Sequence, residues 1–176
     1  MTHPIDFIGA GPGSPDLLTL RGRDLIAAAD VVLYAGSLVP EGVLIHASQG
    51  ADIRDSAPMA LEEIMDIMVQ APRAGKRVAR VHSGDPSLYG AVAEQARRLR
   101  ALDIPYAITP GVSAYTAAAA TLGVELTLPT VSQSIILTRV AGQATDMPEH
   151  ETLENFAETR STLALHLSIR YLRDIQ

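Results

Sequence analysis

The sequence predicts an α/β protein with parallel-rich sheets in two α/β domains, the second expected to be truncated. Three observations predict it. Apolar runs of strand length alternate with helical segments. One run, Val31-Val32-Leu33-Tyr34, has no polar interruption, as a strand covered on both faces requires. Strand ends are followed by glycine turns that open helices, the punctuation of helical crossovers between parallel strands.

Taken in order, Ile5-Asp6-Phe7-Ile8-Gly9 reads as a strand ending in glycines, and Thr19–Ala29 as a helix with Leu20, Leu25, Ile26 and Ala29 on its buried side. Val31–Tyr34 is the second strand. Leu61–Val69 is helical, with Leu61, Ile64, Met65 and Met68 on one face. Arg77–His82 is a strand, Ala91–Leu102 a helix and Ile104–Thr109 a strand. Ser113–Leu122 is a helix of small residues. A second series follows: strand Ser134–Thr138, helix Glu151–Ala157, strand Ser161–Leu167, and a helix from Ile169. The expected domains are 1–122 and 123–176, the second with too few strands to close a core alone, since sheets usually hold roughly four to six.

The chain has 176 residues, 47% of them hydrophobic, enough for a packed core of ordinary domain size. A net charge of −6 argues against nucleic-acid binding through a basic surface. Cysteine is absent, which excludes disulfides, thiolate zinc sites and a cysteine nucleophile. The first residues lack a basic segment followed by an apolar one, and no apolar run is long enough to span a bilayer. A cytoplasmic protein is expected, without a membrane partner. His3, His46, His82, His150 and His166 show no metal-ligand spacing, so no metal site is expected.

Four loops carry the candidate chemistry. Gly9-Ala10-Gly11-Pro12-Gly13-Ser14 follows the first strand. It differs from a dinucleotide fingerprint: its third glycine comes one place early, Tyr34-Ala35-Gly36 stands where an acidic ribose ligand belongs, and Pro12 removes a backbone donor. A nicotinamide-dependent oxidoreductase is therefore the weaker alternative. Ser83-Gly84-Asp85-Pro86 follows the strand ending at His82; Gly84 permits close backbone approach, and Asp85 suits a role as acceptor for backbone donors. His82 reads as a near-core histidine before it reads as a base. Pro110-Gly111-Val112-Ser113-Ala114 repeats the pattern, and Tyr34–Val39 is a fourth element at the same sheet edge, where ligands bind in this architecture.

Taken together, GAGPGSPDLLTLRG (9–22), YAGSLV (34–39), SGDPSLYGA (83–91), PGVSA (110–114) and ILTR (136–139) resemble the tetrapyrrole methylase family, S-adenosylmethionine-dependent methyltransferases of corrin and sirohaem synthesis. YAGSLV, HSGDPSLYGA and PTVSQSIILTR carry the resemblance toward the corrin branch. Ser14 stands where the family's first loop commonly has aspartate.

The resemblance implies two α/β domains with the active site in a cleft between them, a homodimer, the cofactor S-adenosyl-L-methionine (product S-adenosyl-L-homocysteine) and a tetrapyrrole substrate. By motif, Ser83, Gly84, Asp85 and Leu88 would line the cofactor, Ser113 and Ala114 would make its second contact, Leu167 would pack on the adenosine, and Pro12 would border the site. Tyr34 and Ser37 are candidates for steering the macrocycle. Arg139 and Arg21 are candidates for pairing with its carboxylates. A non-catalytic fragment is the alternative that an incomplete second domain leaves open.

Overall fold

Five parallel strands make the first sheet: β1 (Ile5–Gly9), β2 (Val31–Tyr34), β3 (Asp52–Asp55), β4 (Val78–His82) and β5 (Tyr106–Thr109), in spatial order β3-β2-β4-β1-β5. The structure, a computed structural model, describes residues 3–141 and 146–175, without the side chains of Ser37 and Asp174.

Strand alternation divides the core into two layers. Ile5, Phe7, Val31, Leu33 and Val78 point to one face and pack with α3 (Leu61–Arg73) and α4 (Val92–Ala101) through Ile64, Met65, Met68, Ala96 and Leu99. Ile8, Val32, Ala79 and Val81 point to the other and pack with α1 (Leu20–Ala28) and α2 (Glu41–Leu44) through Ile26 and Val43. β2 is buried along its first three residues, as its unbroken apolar run requires.

Helix ends follow local chemistry. The Thr19 hydroxyl accepts from the Gly22 amide at 3.1 Å and starts α1. Glu63 accepts from the Ala60 amide at 2.7 Å at the start of α3.

The strand order places the ligand edge. From β1 the chain crosses to β2 by α1 on one face; from β4 it crosses to β5 by α4 on the other. These crossovers run in opposite directions along the sheet, and right-handedness sends them to opposite faces. β1 and β4 are neighbours. Beyond the Gly11–Gly84 bridge that joins their ends, the two chains therefore leave for opposite faces, and it is in the crevice over such a divergence that ligands bind in open parallel sheets.

Contacts divide the chain into two compact units, Met1–Ala117 and Ala118–Gln176, the division falling within α5 (Ala114–Leu122). In the second unit β6 (Ile135–Arg139) and β7 (Thr162–His166) pair in parallel. The Val140 amide donates to the Ser168 hydroxyl at 2.9 Å, and the Thr162 hydroxyl to the Leu126 carbonyl at 2.8 Å. The same unit holds α6 (Leu153–Glu158) and α7 (Leu172–Ile175). Among the described residues no helix is long and apolar enough to cross a membrane.

Three local expectations change. β3 is an additional strand: Asp52-Ile53-Arg54-Asp55 holds one apolar residue and pairs only at the sheet edge, so it lacks the pattern of a buried strand. α3 continues to Arg73 rather than ending at Val69: Ala71 is buried in the core, Pro72 is buried beside it in sequence, and the Ala74 amide closes the last turn by donating to the Gln70 and Ala71 carbonyls at 3.0 and 3.1 Å. Leu20, expected on the buried side of α1, is 72% exposed: it is the first helical residue, at the sheet's rim.

Candidate functional site

The C-terminal edge of the first sheet is closed by backbone packed on backbone. A Cβ placed on Gly9 would lie 2.5 Å from Gly111 Cα and 2.6 Å from the Gly84 oxygen; one placed on Gly111 would lie 2.1 Å from that oxygen. No side chain fits at either position. Across the β1–β4 crevice the Gly84 amide donates to the Gly11 carbonyl at 2.7 Å, and the Gly11 amide returns a bond to the Gly84 carbonyl at 3.2 Å. The loops after β1, β4 and β5 are thus fixed to one another through glycines.

Asp85 locks this cluster. One carboxylate oxygen accepts from the Ser87 amide at 2.8 Å and from the Ser87 hydroxyl; the other accepts from the Gly111 amide at 3.0 Å. Burial opposes ionisation of Asp85. The bonds from the Ser87 hydroxyl, the Ser87 amide and the Gly111 amide outweigh it and hold the carboxyl below its usual range. Among the described residues its partners are all donors within the loops, so Asp85 acts as a clip.

Gly84 is different from its neighbours. Its φ is +58°, the left-handed region, yet a Cβ there would meet nothing closer than the Ala114 amide nitrogen at 3.8 Å. The backbone is bare and faces space bounded by the start of α5. A flat or folded ligand can approach this main chain closely.

The predicted residues of the first unit gather at this edge. Pro12 is half-buried after β1; Tyr34 is the last residue of β2; Ser83, Gly84, Asp85 and Leu88 are half-buried after β4; Ser113 is half-buried and Ala114 exposed where α5 begins. The backbone of Ser37 lies in a short 3-10 turn after β2, and its side chain lies outside the described residues. Arg21 is exposed in the first turn of α1. Ser14, also exposed, donates its hydroxyl to Asp16. In the second unit, Arg139 ends β6 opposite His166, and Leu167 follows β7, so both stand at the C-terminal edge of that sheet. Arg139 donates to the carbonyls of Val140 at 3.2 Å and Asp146 at 3.1 Å. Leu167 is 68% exposed at φ +55°, costly for a leucine.

His82 is buried and packs on the Phe7 ring at 5.9 Å between centroids. Burial first, then the Arg80 charge, pushes its pKa down to about 3. The imidazole is neutral at neutral pH and far too weak a base for general-base work. His82 thus takes the near-core position expected of it, and its Nε2 has no hydrogen-bond partner among the described residues.

Sequence reasoning missed Asp55. Its carboxylate accepts from the Gly36 amide at 2.9 Å and the Ala57 amide at 2.8 Å, and a Cβ on Gly36 would strike it at 2.2 Å. It fixes the Tyr34–Val39 loop as Asp85 fixes the next one. The signal was the Asp-x-Ala pair ending a short charged strand, legible only once β3 is placed beside β2. Among the described residues no three His, Asp or Glu side chains converge as metal ligands.

A parallel sheet whose ligand edge is built from interlocked glycine turns, with neither a phosphate loop nor a dinucleotide fingerprint, defines a ligand-binding α/β protein. The chain belongs to the tetrapyrrole (corrin/porphyrin) methylases, whose family model matches residues 4–176. It is similar to a precorrin-4 C(11)-methyltransferase of Pseudomonas aeruginosa, 56% identical over 169 residues, covering 96% of this chain and 67% of that one. It also resembles the solved structure of a cobalamin biosynthetic enzyme, cobalt precorrin-4 methyltransferase, with a TM-score of 0.94 and 44% identity over 98% of this chain and 72% of the other. A third likeness is to uroporphyrin-III C-methyltransferase of Thermus thermophilus complexed with S-adenosylhomocysteine: TM-score 0.68, 29% identity, 84% of this chain and 60% of that one. The chain spans about two thirds of the length of its Pseudomonas relative.

The glycine contacts predict an order of sensitivity. Gly111→Ala forces a Cβ onto a carbonyl oxygen and should cost about 3 kcal/mol or more. Gly84→Ala adds only left-handed strain, about 1–2 kcal/mol. Urea denaturation of both variants checks this, and equal or reversed costs would contradict the packing described. His82 predicts a pH effect. Its folded pKa lies below the unfolded value of 6.5, so its contribution is complete above about pH 6.5 and is lost as pH falls toward about 3. His82→Phe should flatten the stability profile across that window; an unchanged slope would mean that His82 is not held neutral.

Proposed function

We propose that the chain is an S-adenosylmethionine-dependent C-methyltransferase that adds a methyl group to C11 of precorrin-4 in the synthesis of the cobalamin corrin ring. The observation that carries this reading is the bare main chain at Gly84, open over the crevice while Gly9, Gly11 and Gly111 hold it from below. Family membership and the 56% identity to a precorrin-4 C(11)-methyltransferase supply the reaction. The cobalt-bearing form of the substrate is a second reading, favoured by the fit to the cobalt precorrin-4 methyltransferase structure.

The residues present fit the cofactor. A Cβ on Gly84 would occupy space that no protein atom fills, bordered by the Ala114 amide, and a folded nucleoside needs such a cradle. When bound, S-adenosylmethionine supplies an electrophilic sulfonium methyl. Ser83, Gly84, Asp85 and Leu88 line it, Ser113 and Ala114 form the second contact, and Pro12 borders it. Leu167 offers an exposed apolar side chain from a strained backbone position, suited to packing on the adenine. Tyr34 and Ser37 orient the macrocycle. Arg139 brings a permanent positive charge toward substrate carboxylates.

Neither His82, neutral and buried, nor Asp85, occupied by loop donors, is poised to move a proton. The chain's contribution is therefore positioning and exclusion of water, and orientation alone is worth roughly 7–11 kcal/mol. We assign the chain to the cytoplasm as a homodimer with a small-molecule substrate, its net charge of −6 being unsuited to nucleic acid.

Two variants test the assignment. Gly84→Val puts a branched side chain into the cradle and should lower affinity for S-adenosylhomocysteine at least about 100-fold, the loss of roughly 2.7 kcal/mol of binding, with the circular dichroism of a folded α/β protein retained. Arg139→Ala should weaken tetrapyrrole binding more than cofactor binding. Calorimetry reads both; normal affinity in the first, or equal loss of both ligands in the second, would contradict the roles given.

A further inference from the structure

Arg80 lies in the middle of β4, on the face covered by α3 and α4, and is only 6% exposed. Burial lowers its pKa to about 10, so the guanidinium remains charged at neutral pH. Among the described residues no carboxylate pairs with it; its partners are neutral. Nη1 donates to the Ser56 hydroxyl at 2.7 Å, and Nε to the Gln95 side-chain oxygen at 3.4 Å. A cation buried among apolar side chains without a counter-charge costs stability. In return it offers several donors in one rigid plane.

Both partners pass the connection on to loops at the sheet edge. The Ser56 hydroxyl donates to the Tyr34 carbonyl at 2.8 Å, where β2 ends and the Tyr34–Val39 loop begins. The Gln95 amide donates to the Ala91 carbonyl at 3.2 Å, where the Ser83–Ala91 loop ends and α4 begins. That second junction is strained: Ala91 has φ +51° and Tyr89 φ +56°, both in the left-handed region. Gly90 is also pressed against the Pro86 carbonyl, where a Cβ would lie at 2.4 Å. A loop in this conformation needs outside anchors. Asp85 supplies one at its start and Gln95 one at its end.

We infer that Arg80 is a positioning residue: from beneath the sheet edge it holds the end of the Gly84 loop through Gln95 and the start of the Tyr34 loop through Ser56, making the two loops one platform. The inference rests on the reading of the Gly84 loop as the cofactor cradle. It assigns separate jobs to the two arms. The Gln95 arm sets the shape of the cradle; the Ser56 arm sets the neighbouring loop.

The test is calorimetric titration with S-adenosylhomocysteine, with melting temperatures measured in parallel, on the unmutated chain and on Gln95→Leu, Ser56→Ala, Arg80→Met and the double variant Arg80→Met/Gln95→Leu. Gln95→Leu should weaken binding about tenfold, comparable to one hydrogen bond, and Ser56→Ala by less than about twofold even where the two lower the melting temperature alike. Arg80→Met should lose as much affinity as Gln95→Leu, and the double variant no more than either, because both cut one connection. Unchanged affinity in Gln95→Leu, or losses that add in the double variant, would overturn the inference; the Gln95 and Ser56 variants decide it even if Arg80→Met does not fold. An unmutated chain that fails to bind S-adenosylhomocysteine would instead overturn the cradle reading itself and the inference with it.

Discussion

Three backbone segments far apart in sequence meet at one sheet edge without side chains between them, and the rest of the site depends on that contact. Gly9, Gly84 and Gly111 approach so closely that a single methyl group on Gly9 or Gly111 would collide with main-chain atoms. Such an approach brings the turns after β1, β4 and β5 together as a floor. It leaves the outer side of Gly84 bare. The strand order supplies the crevice, because neighbours β1 and β4 send their crossovers to opposite faces. The glycines let the three turns meet main chain to main chain at that point.

Two carboxylates beside this floor hold its loops in place. Asp85 ties the Gly84 loop to Gly111, and Asp55 ties Gly36 to the end of β3. Each carboxylate accepts backbone donors that the turns would otherwise leave unpaired. His82 is kept neutral by burial and by the Arg80 charge beside it. This distribution suits a reaction in which the cofactor carries the reactive group and the protein contributes geometry. The same economy recurs at the other sheet, where the Ser168 hydroxyl, buried after β7, accepts from the Val140 amide and donates to the His166 carbonyl at 2.6 Å.

Much of this was legible in the sequence, for physical reasons that can be named. β1, β2 and β4 announce themselves because strands buried on both faces must be apolar, and the turns after them because glycine and proline punctuate chains. β3 did not, since an edge strand held by backbone pairing needs no apolar pattern; Ile53, its one apolar residue, is 44% exposed. Gly84 could be read as a residue that lets a ligand approach. That Gly9 and Gly111 touch could not be read, because the contact joins positions about a hundred residues apart and exists only once β5 pairs with β1. Asp85 was legible as a turn acceptor through its local bond to Ser87, whereas its second partner, Gly111, is a tertiary contact. Arg80 looked like a strand residue, and nothing local marks it as the hub beneath two loops.

The most direct test of the glycine cradle is calorimetric titration of the unmutated chain with S-adenosylhomocysteine, with NADH titrated in parallel. A cradle built on bare main chain at Gly84 predicts micromolar binding of S-adenosylhomocysteine and no binding of NADH. Binding of NADH alone, or of neither ligand, would contradict it.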